Sequence, residues 1–177
     1  DCMQVPGHIR WQDTHGAAVD AEGLIYVKHR TKTTEVMDAI VVFDDNGRMV
    51  RSFGKEFHGG GHGIDIRRDG GEEFLYLCDN KGYIAKQTLK GETVWKQTAP
   101  EVDVYDGAAP FEVKTPGEYG KGIKFSPTNI AFAPDGGFFV GDGYGAHYII
   151  RYDREARVVG YFGGPGSGQG KFQTPHG

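Results

Sequence analysis

Sulfur is scarce in this 177-residue chain, whose only cysteines are Cys2 and Cys78. Two cysteines cannot form the disulfide framework of a small secreted scaffold. They read either as one pair or as a loose terminal thiol and a buried strand thiol. Long apolar runs are missing as well, and no stretch approaches the ~20 residues a membrane-crossing helix needs. Basic residues do not dominate: 20 Lys and Arg face 24 Asp and Glu, for a net charge of -4. That balance lacks the electrostatic footprint of a nucleic-acid binder, so no nucleic-acid partner is expected. No segment keeps a helical period, and no tract is purely serine-rich or charged. Helical layers are therefore excluded, and disorder is expected only at the ends and in one loop. The opening "DCMQVPG" carries no signal peptide and reads as a cut end. The compartment stays open, with a secreted or periplasmic setting as the expectation.

What the chain does have is glycine, 29 residues of it, with 12% aromatics. The glycines punctuate short apolar runs throughout, as expected for many turns between short strands. Aligning the chain with itself shows why. "HGAAVDAEGLIYV" (15–27), "HGIDIRRDGGEEFLYL" (62–77) and "TNIAFAPDGGFFV" (128–140) share one plan. Each runs from a polar start through apolar alternation to an acidic-Gly turn and an aromatic-rich strand. The turns at Glu22-Gly23, Asp69-Gly70 and Asp135-Gly136 are hairpin signals, because glycine takes a positive φ without steric cost. Two further strands follow each copy, in "AIVVFDDNGRMVRSFG", "YIAKQTLKGETVWKQ" and "YIIRYDREARVVGYFGG".

One unit thus holds four short antiparallel strands. The unit starts, His15, His62, Thr128 and His176, stand 47, 66 and 48 residues apart. Two of these steps fit a β-propeller blade of roughly 40–50 residues. The long step contains "APEVDVYDGAAPFEVKTPGEYGKGIKFSP" (99–127), rich in Pro, Gly and charge, which reads as an inserted loop. The expected fold is all-β, a single propeller domain or a fragment of one. Its blades cover about 15–57, 62–98 and 128–163, and a fourth begins at 174–177. A four-stranded blade cannot bury both faces alone, and a propeller solves this by closing a ring. Three blades are too few, so closure requires further blades or a second copy. The trailing "TPHG" favours further blades.

In a propeller the first strand of each blade lines the central channel. His15, His62 and His176 share the same blade position, with Thr128 in the intervening one. In a six-bladed ring His62 and His176 would stand two blades apart. A histidine two blades further on would complete a three-fold ring of imidazoles, and three histidines with open positions are a catalytic zinc arrangement. A histidine at the start of a strand also commonly just hydrogen-bonds its turn, so both readings stand. His8, His29, His58 and His147 have no repeat equivalent and read as surface or loop residues.

The repeats resemble NHL repeats, and one stretch is more specific. Pro127-Thr128, Asp142-Gly143-Tyr144, the run Gly168 to Phe172 and Pro175-His176 resemble the core of the peptidyl-α-hydroxyglycine α-amidating lyases. "GHGIDIRRDG" (61–70) and "YVKHRTK" (26–32) extend the likeness upstream, though it is sharp only over the last fifty or so residues. The resemblance implies a six-bladed zinc lyase that cleaves peptidyl-α-hydroxyglycine to a peptide amide and glyoxylate. It implies His62 and His176 as two zinc ligands, Tyr144 as the base and Arg30 as the clamp on the substrate carboxylate. It also implies a structural calcium, held partly by the Ile64 carbonyl. A third histidine, a second arginine and a methionine would follow residue 177. The chain departs from the pattern at Gly145, where animal members carry a disulfide cysteine, and at Ala146-His147, which replace Asn-Ser. His15 is an extra histidine. A tyrosine, with an ordinary pKa near 10, needs a neighbouring cation to act as a base, and zinc and arginine are such cations.

Two rival readings remain. A non-catalytic NHL-type propeller would bind a protein or small ligand on its top face. A sugar-lactonase-like propeller would hold calcium through Glu, Asn and Asp, which fits His, His, Thr and His poorly. Tyr144 reads alternatively as a packing aromatic beside a turn. Asp142 is expected to fix that turn rather than to do chemistry.

Overall fold

The computed structural model describes residues 4–31, 33–108 and 124–176. Twelve strands form three separate four-stranded antiparallel sheets. The first sheet holds β1 (Asp13–Val19), β2 (Ile25–Arg30), β3 (Ile40–Phe43) and β4 (Met49–Phe53). The second holds β5 (Gly61–Asp69), β6 (Glu72–Asp79), β7 (Tyr83–Thr88) and β8 (Thr93–Gln97). The third holds β9 (Asn129–Phe132), β10 (Phe138–Gly141), β11 (Tyr148–Tyr152) and β12 (Val158–Gly163). In each sheet the strands lie side by side in chain order. The first strands β1, β5 and β9 run against one another in turn. These are the sheets of propeller blades, stacked face to face, and the described residues do not close a ring.

Period-two alternation explains the stacking, since successive side chains leave a strand on opposite faces. Tyr26, Ile40 and Val42 point from the first sheet into a core shared with Leu75, Leu77 and Ala85 of the second. Cys78, Ile84 and Tyr76 leave the other face of that second sheet and meet Phe138, Val140 and Ile150 of the third. Each blade is therefore apolar on both sides. The free face of the first sheet carries Val27, Val41 and Phe43, and Val5, Ile9 and Trp11 cover it. Three of the tight turns share one device. Asp20, Asp44 and Asp153 each accept two backbone N–H groups from the following turn, which replaces hydrogen bonds the reversing backbone cannot make with itself.

Several sequence expectations need correction here. The described ends of the inserted segment carry no strand but are packed rather than disordered: Tyr105 and Phe125 are buried, and Ala99, Val102 and Val104 pack against the core between the second and third blades. The middle of that insertion, 109–123, lies outside the described residues, as does Cys2. Cys78 is a buried thiol on β6. His29 is not a surface residue. It is fully buried and stacks on Trp11 at 4.7 Å between ring centroids. Arg67 ties the second blade to the third, its guanidinium donating to the Gly136 carbonyl at 2.6 Å.

Two bulges interrupt the first strands. Between Thr14 and Gly16 the β1–β2 register gains one residue, and that residue is His15. Between Gly61 and Ile64 the β5–β6 register slips in the same way around His62 and Gly63. A bulge bends its strand and re-aims the side chain it carries. The glycine after each histidine has a separate reason. A Cβ on Gly16 would lie 2.9 Å from the Ile64 backbone nitrogen, and one on Gly63 would lie 2.6 Å from the Thr128 carbonyl oxygen. His-Gly is thus the contact at which one blade's backbone meets the next. Gly63→Ala is expected to destabilise the chain by ~1–3 kcal/mol, the usual cost of overpacking a rigid contact. The midpoint of urea unfolding measures it; an unchanged midpoint would show that the blades can separate freely there.

Candidate metal centre

His15, His62 and His176 converge. One potential ligand atom from each lies within 4.8 Å of the other two. The His15 and His62 rings are stacked at 4.6 Å with planes 9° apart, and the His176 ring stands nearly edge-on to His62 at 4.7 Å. They come from the first blade, the second blade and the segment that follows the third. The three histidines therefore form a one-sided cluster.

His62 is the interior member, 2% exposed, whereas His15 and His176 are open to solvent. Its Nδ1 lies 2.6 Å from the Thr128 carbonyl oxygen. Because a carbonyl only accepts, that contact puts the imidazole proton on Nδ1 and leaves a lone pair on Nε2. The Nε2 atom is buried without a hydrogen-bond partner. Burial holds the His62 pKa down at about 3, and the neighbouring His15, His176 and Lys28 charges push the same way. Burial also lowers His15, followed by the charge of Arg30. A neutral imidazole with its tautomer fixed by a backbone carbonyl is the form that ligates a metal.

The depressed value also has a consequence for stability. An unfolded histidine takes its proton near pH 6.5, whereas folded His62 does so only near pH 3. Between those values the unfolded chain binds more protons, so His62 costs stability as pH falls through that window. The slope from this one group is at most ~1.4 kcal/mol per pH unit. Metal-free His62→Gln protein is expected to lose less stability than wild type between pH 6.5 and 4. Equal losses in urea titrations would contradict this.

Tyr144 and Arg30 flank the cluster. The Tyr144 hydroxyl is 3.0 Å from His176 Nε2, and its ring stands edge-on to His62 at 5.3 Å. Tyr144 is 46% exposed, so it is not a packing aromatic. Arg30 lies on the His15 side and pairs with Asp13 at 2.5 Å. Asp142, next but one to Tyr144, is a structural carboxylate. It accepts from the Ser126 and Ala146 N–H groups and from the Tyr105 hydroxyl. The two glycines beside Tyr144 serve close approach. A Cβ on Gly143 would lie 2.2 Å from the Pro175 carbonyl oxygen, and one on Gly145 would lie 2.3 Å from the Asp142 carboxylate. Ile64 is buried where β5 meets Gly16.

The expected pair His62 and His176 is thus brought together with Tyr144. His15, which shares the blade position of His62 and its following glycine, stands beside the pair, aimed there by a bulge that leaves no trace in composition.

The fold and the cluster define a class, an all-β protein built of propeller-type blades with a three-histidine group that could hold a metal. Neither a protein-family model nor a curated protein matches the sequence. Solved structures do match in fold. A streptogramin B lyase aligns with 92% of this chain and 44% of its own, at 13% identity and a TM-score of 0.58. Virginiamycin B lyase from Staphylococcus aureus aligns with 89% of this chain and 43% of its own, at 14% identity and a TM-score of 0.54. A Bacteroides caccae protein of unknown function aligns with 82% and 47%, at 14% identity and a TM-score of 0.52. Such identities show the fold alone. The chain spans less than half the length of each of these structures.

Proposed function

We propose that this chain carries the metal site of a zinc-dependent lyase whose substrate is a peptidyl-α-hydroxyglycine. His15, His62 and His176 would be the zinc ligands, Tyr144 the base and Arg30 the carboxylate clamp. The observation that carries the reading is the buried, unpartnered Nε2 of His62, tautomer-fixed and set among two other histidines. An orphaned ring nitrogen in such a place fits a cation and fits little else. His15 enters as the third ligand here, in place of a histidine beyond residue 177.

Bound zinc would supply Lewis acidity at the substrate oxygen. The protein's own groups supply the rest. The reaction moves one proton from the substrate hydroxyl to the amide nitrogen. The O–H electron pair becomes the second bond of the glyoxylate C=O, and the C–N electron pair stays on nitrogen. Tyr144, hydrogen-bonded at the edge of the cluster, takes the hydroxyl proton. The Arg30 guanidinium, a planar fork suited to a carboxylate, holds the glycine carboxylate on the His15 side. The lyase names among the fold neighbours are compatible with this reading. A structural calcium at the Ile64 carbonyl is carried as a second, separate metal.

Elemental analysis of the purified chain, followed by zinc titration and a glyoxylate assay on one preparation, tests the reading. One zinc per chain and glyoxylate release from an α-hydroxyglycine peptide are expected. Absence of zinc binding would overturn it. Zinc without glyoxylate would leave the metal site and move the function to ligand binding on a non-catalytic propeller.

A further inference from the structure

The repeat places histidine at three of its four starting positions and threonine at the fourth, Thr128. We infer that Thr128 is the positioning residue of the cluster, setting His62 through its carbonyl and His176 through its hydroxyl. The inference deepens the metal reading above, but its geometry stands without any metal.

Thr128 is 1% exposed and sits between the two histidines in the order of blades. Its backbone N–H donates to the Gly141 carbonyl at 2.8 Å, which pins it to the end of β10. Its carbonyl then faces the second blade, where it accepts from Gly63 N–H at 2.9 Å and from His62 Nδ1 at 2.6 Å. Its hydroxyl lies 2.9 Å from the Pro175 carbonyl and 3.0 Å from that of Gly141, so one proton bridges the two. Pro175 immediately precedes His176. Glycine makes the approach possible, since a Cβ on Gly143 would lie 2.8 Å from Thr128 Cγ2.

The segment carrying His176 needs such holding. Thr174 adopts a left-handed φ of 52°, a conformation that costs a residue with a Cβ. Its N–H is tied to His147 Nδ1 at 3.0 Å, and His176 itself reaches Tyr144. Between these two contacts, the Thr128 hydroxyl on the Pro175 carbonyl is the buried anchor.

The test uses Thr128→Val, which keeps the shape and the backbone carbonyl but removes the hydroxyl. Zinc affinity is expected to fall ~10–100-fold, the usual effect of losing an outer-shell partner. Thr128→Ser should restore it. In a His176→Ala background the valine change should cost nothing further, because its effect passes through His176. A purely structural role would lower unfolding midpoints equally in both backgrounds without this dependence. Imidazole NMR of the metal-free protein gives the second readout. Thr128→Val should shift the His176 resonances and leave the Nδ1–H tautomer of His62 intact. Unchanged His176 resonances, or an equal zinc loss in both backgrounds, would overturn the inference. If wild type binds no zinc, the metal reading falls and the metal-free spectra alone decide. Thr128→Ala serves if valine does not fold.

Discussion

His62→Ala is expected to lower zinc affinity by at least ~100-fold. Outer-shell changes alone cost ~10–100-fold, and this change removes a proposed ligand. The expectation rests on how this nitrogen is prepared. Its ring is buried, its proton is committed to the Thr128 carbonyl, and its charge is suppressed to about pH 3. It therefore meets a cation without first losing a proton or a hydrogen bond. His15→Ala should weaken binding comparably, although His15 is exposed. That second variant is the sharper one. If zinc affinity survives the loss of His15, the third ligand is elsewhere and the one-sided cluster is not the site. Isothermal titration against both variants, at a pH where all three rings are neutral, reads the difference directly.

Tyr144→Phe is expected to keep the unfolding midpoint near wild type and the zinc site filled at saturating metal while cutting glyoxylate release by ~10²-fold or more. That is the scale of losing a general base. The ring is 46% exposed, and its hydroxyl makes a single contact of 3.0 Å with His176. Removing one oxygen therefore creates no cavity and strands no buried donor. A selective loss of turnover would place the hydroxyl at the reacting atoms. Unchanged turnover would remove Tyr144 as the base and leave it as a partner of His176.

The blades were legible because four-stranded repeats impose two signals at once, an apolar period of two and glycine at each reversal. The positions of His62 and His176 followed from the same register. Less could be read where one residue changes a direction. The bulge at His15 adds a single residue to β1, and no pattern of alternation distinguishes that from a strand end. His29 reads as a surface residue because it has no repeat equivalent, and repeat equivalence says nothing about burial. In the structure Lys28 is buried against Asp79 at 3.5 Å with neither side chain exposed, and Trp11 closes over His29. The roles of Tyr105 and Phe125 were hidden by the polar composition of the insertion that carries them. Apart from that local bulge, each of these is a tertiary contact whose partner lies far along the chain.

The cover that Val5, Ile9 and Trp11 place over Val27, Val41 and Phe43 gives the stack a direction. One outer face of the described blades is covered, in the way a polar-backed cap covers a repeat. The opposite face, with Ala131, Phe139 and Ile149 beside Pro175, has no such cap among the described residues. Two copies that bury their bare faces can do so only about a twofold axis, third blade to third blade. Such an isologous pair is self-limiting and does not make a circle. Head-to-tail closure by a second copy would first have to peel residues 4–12 away and expose an apolar sheet.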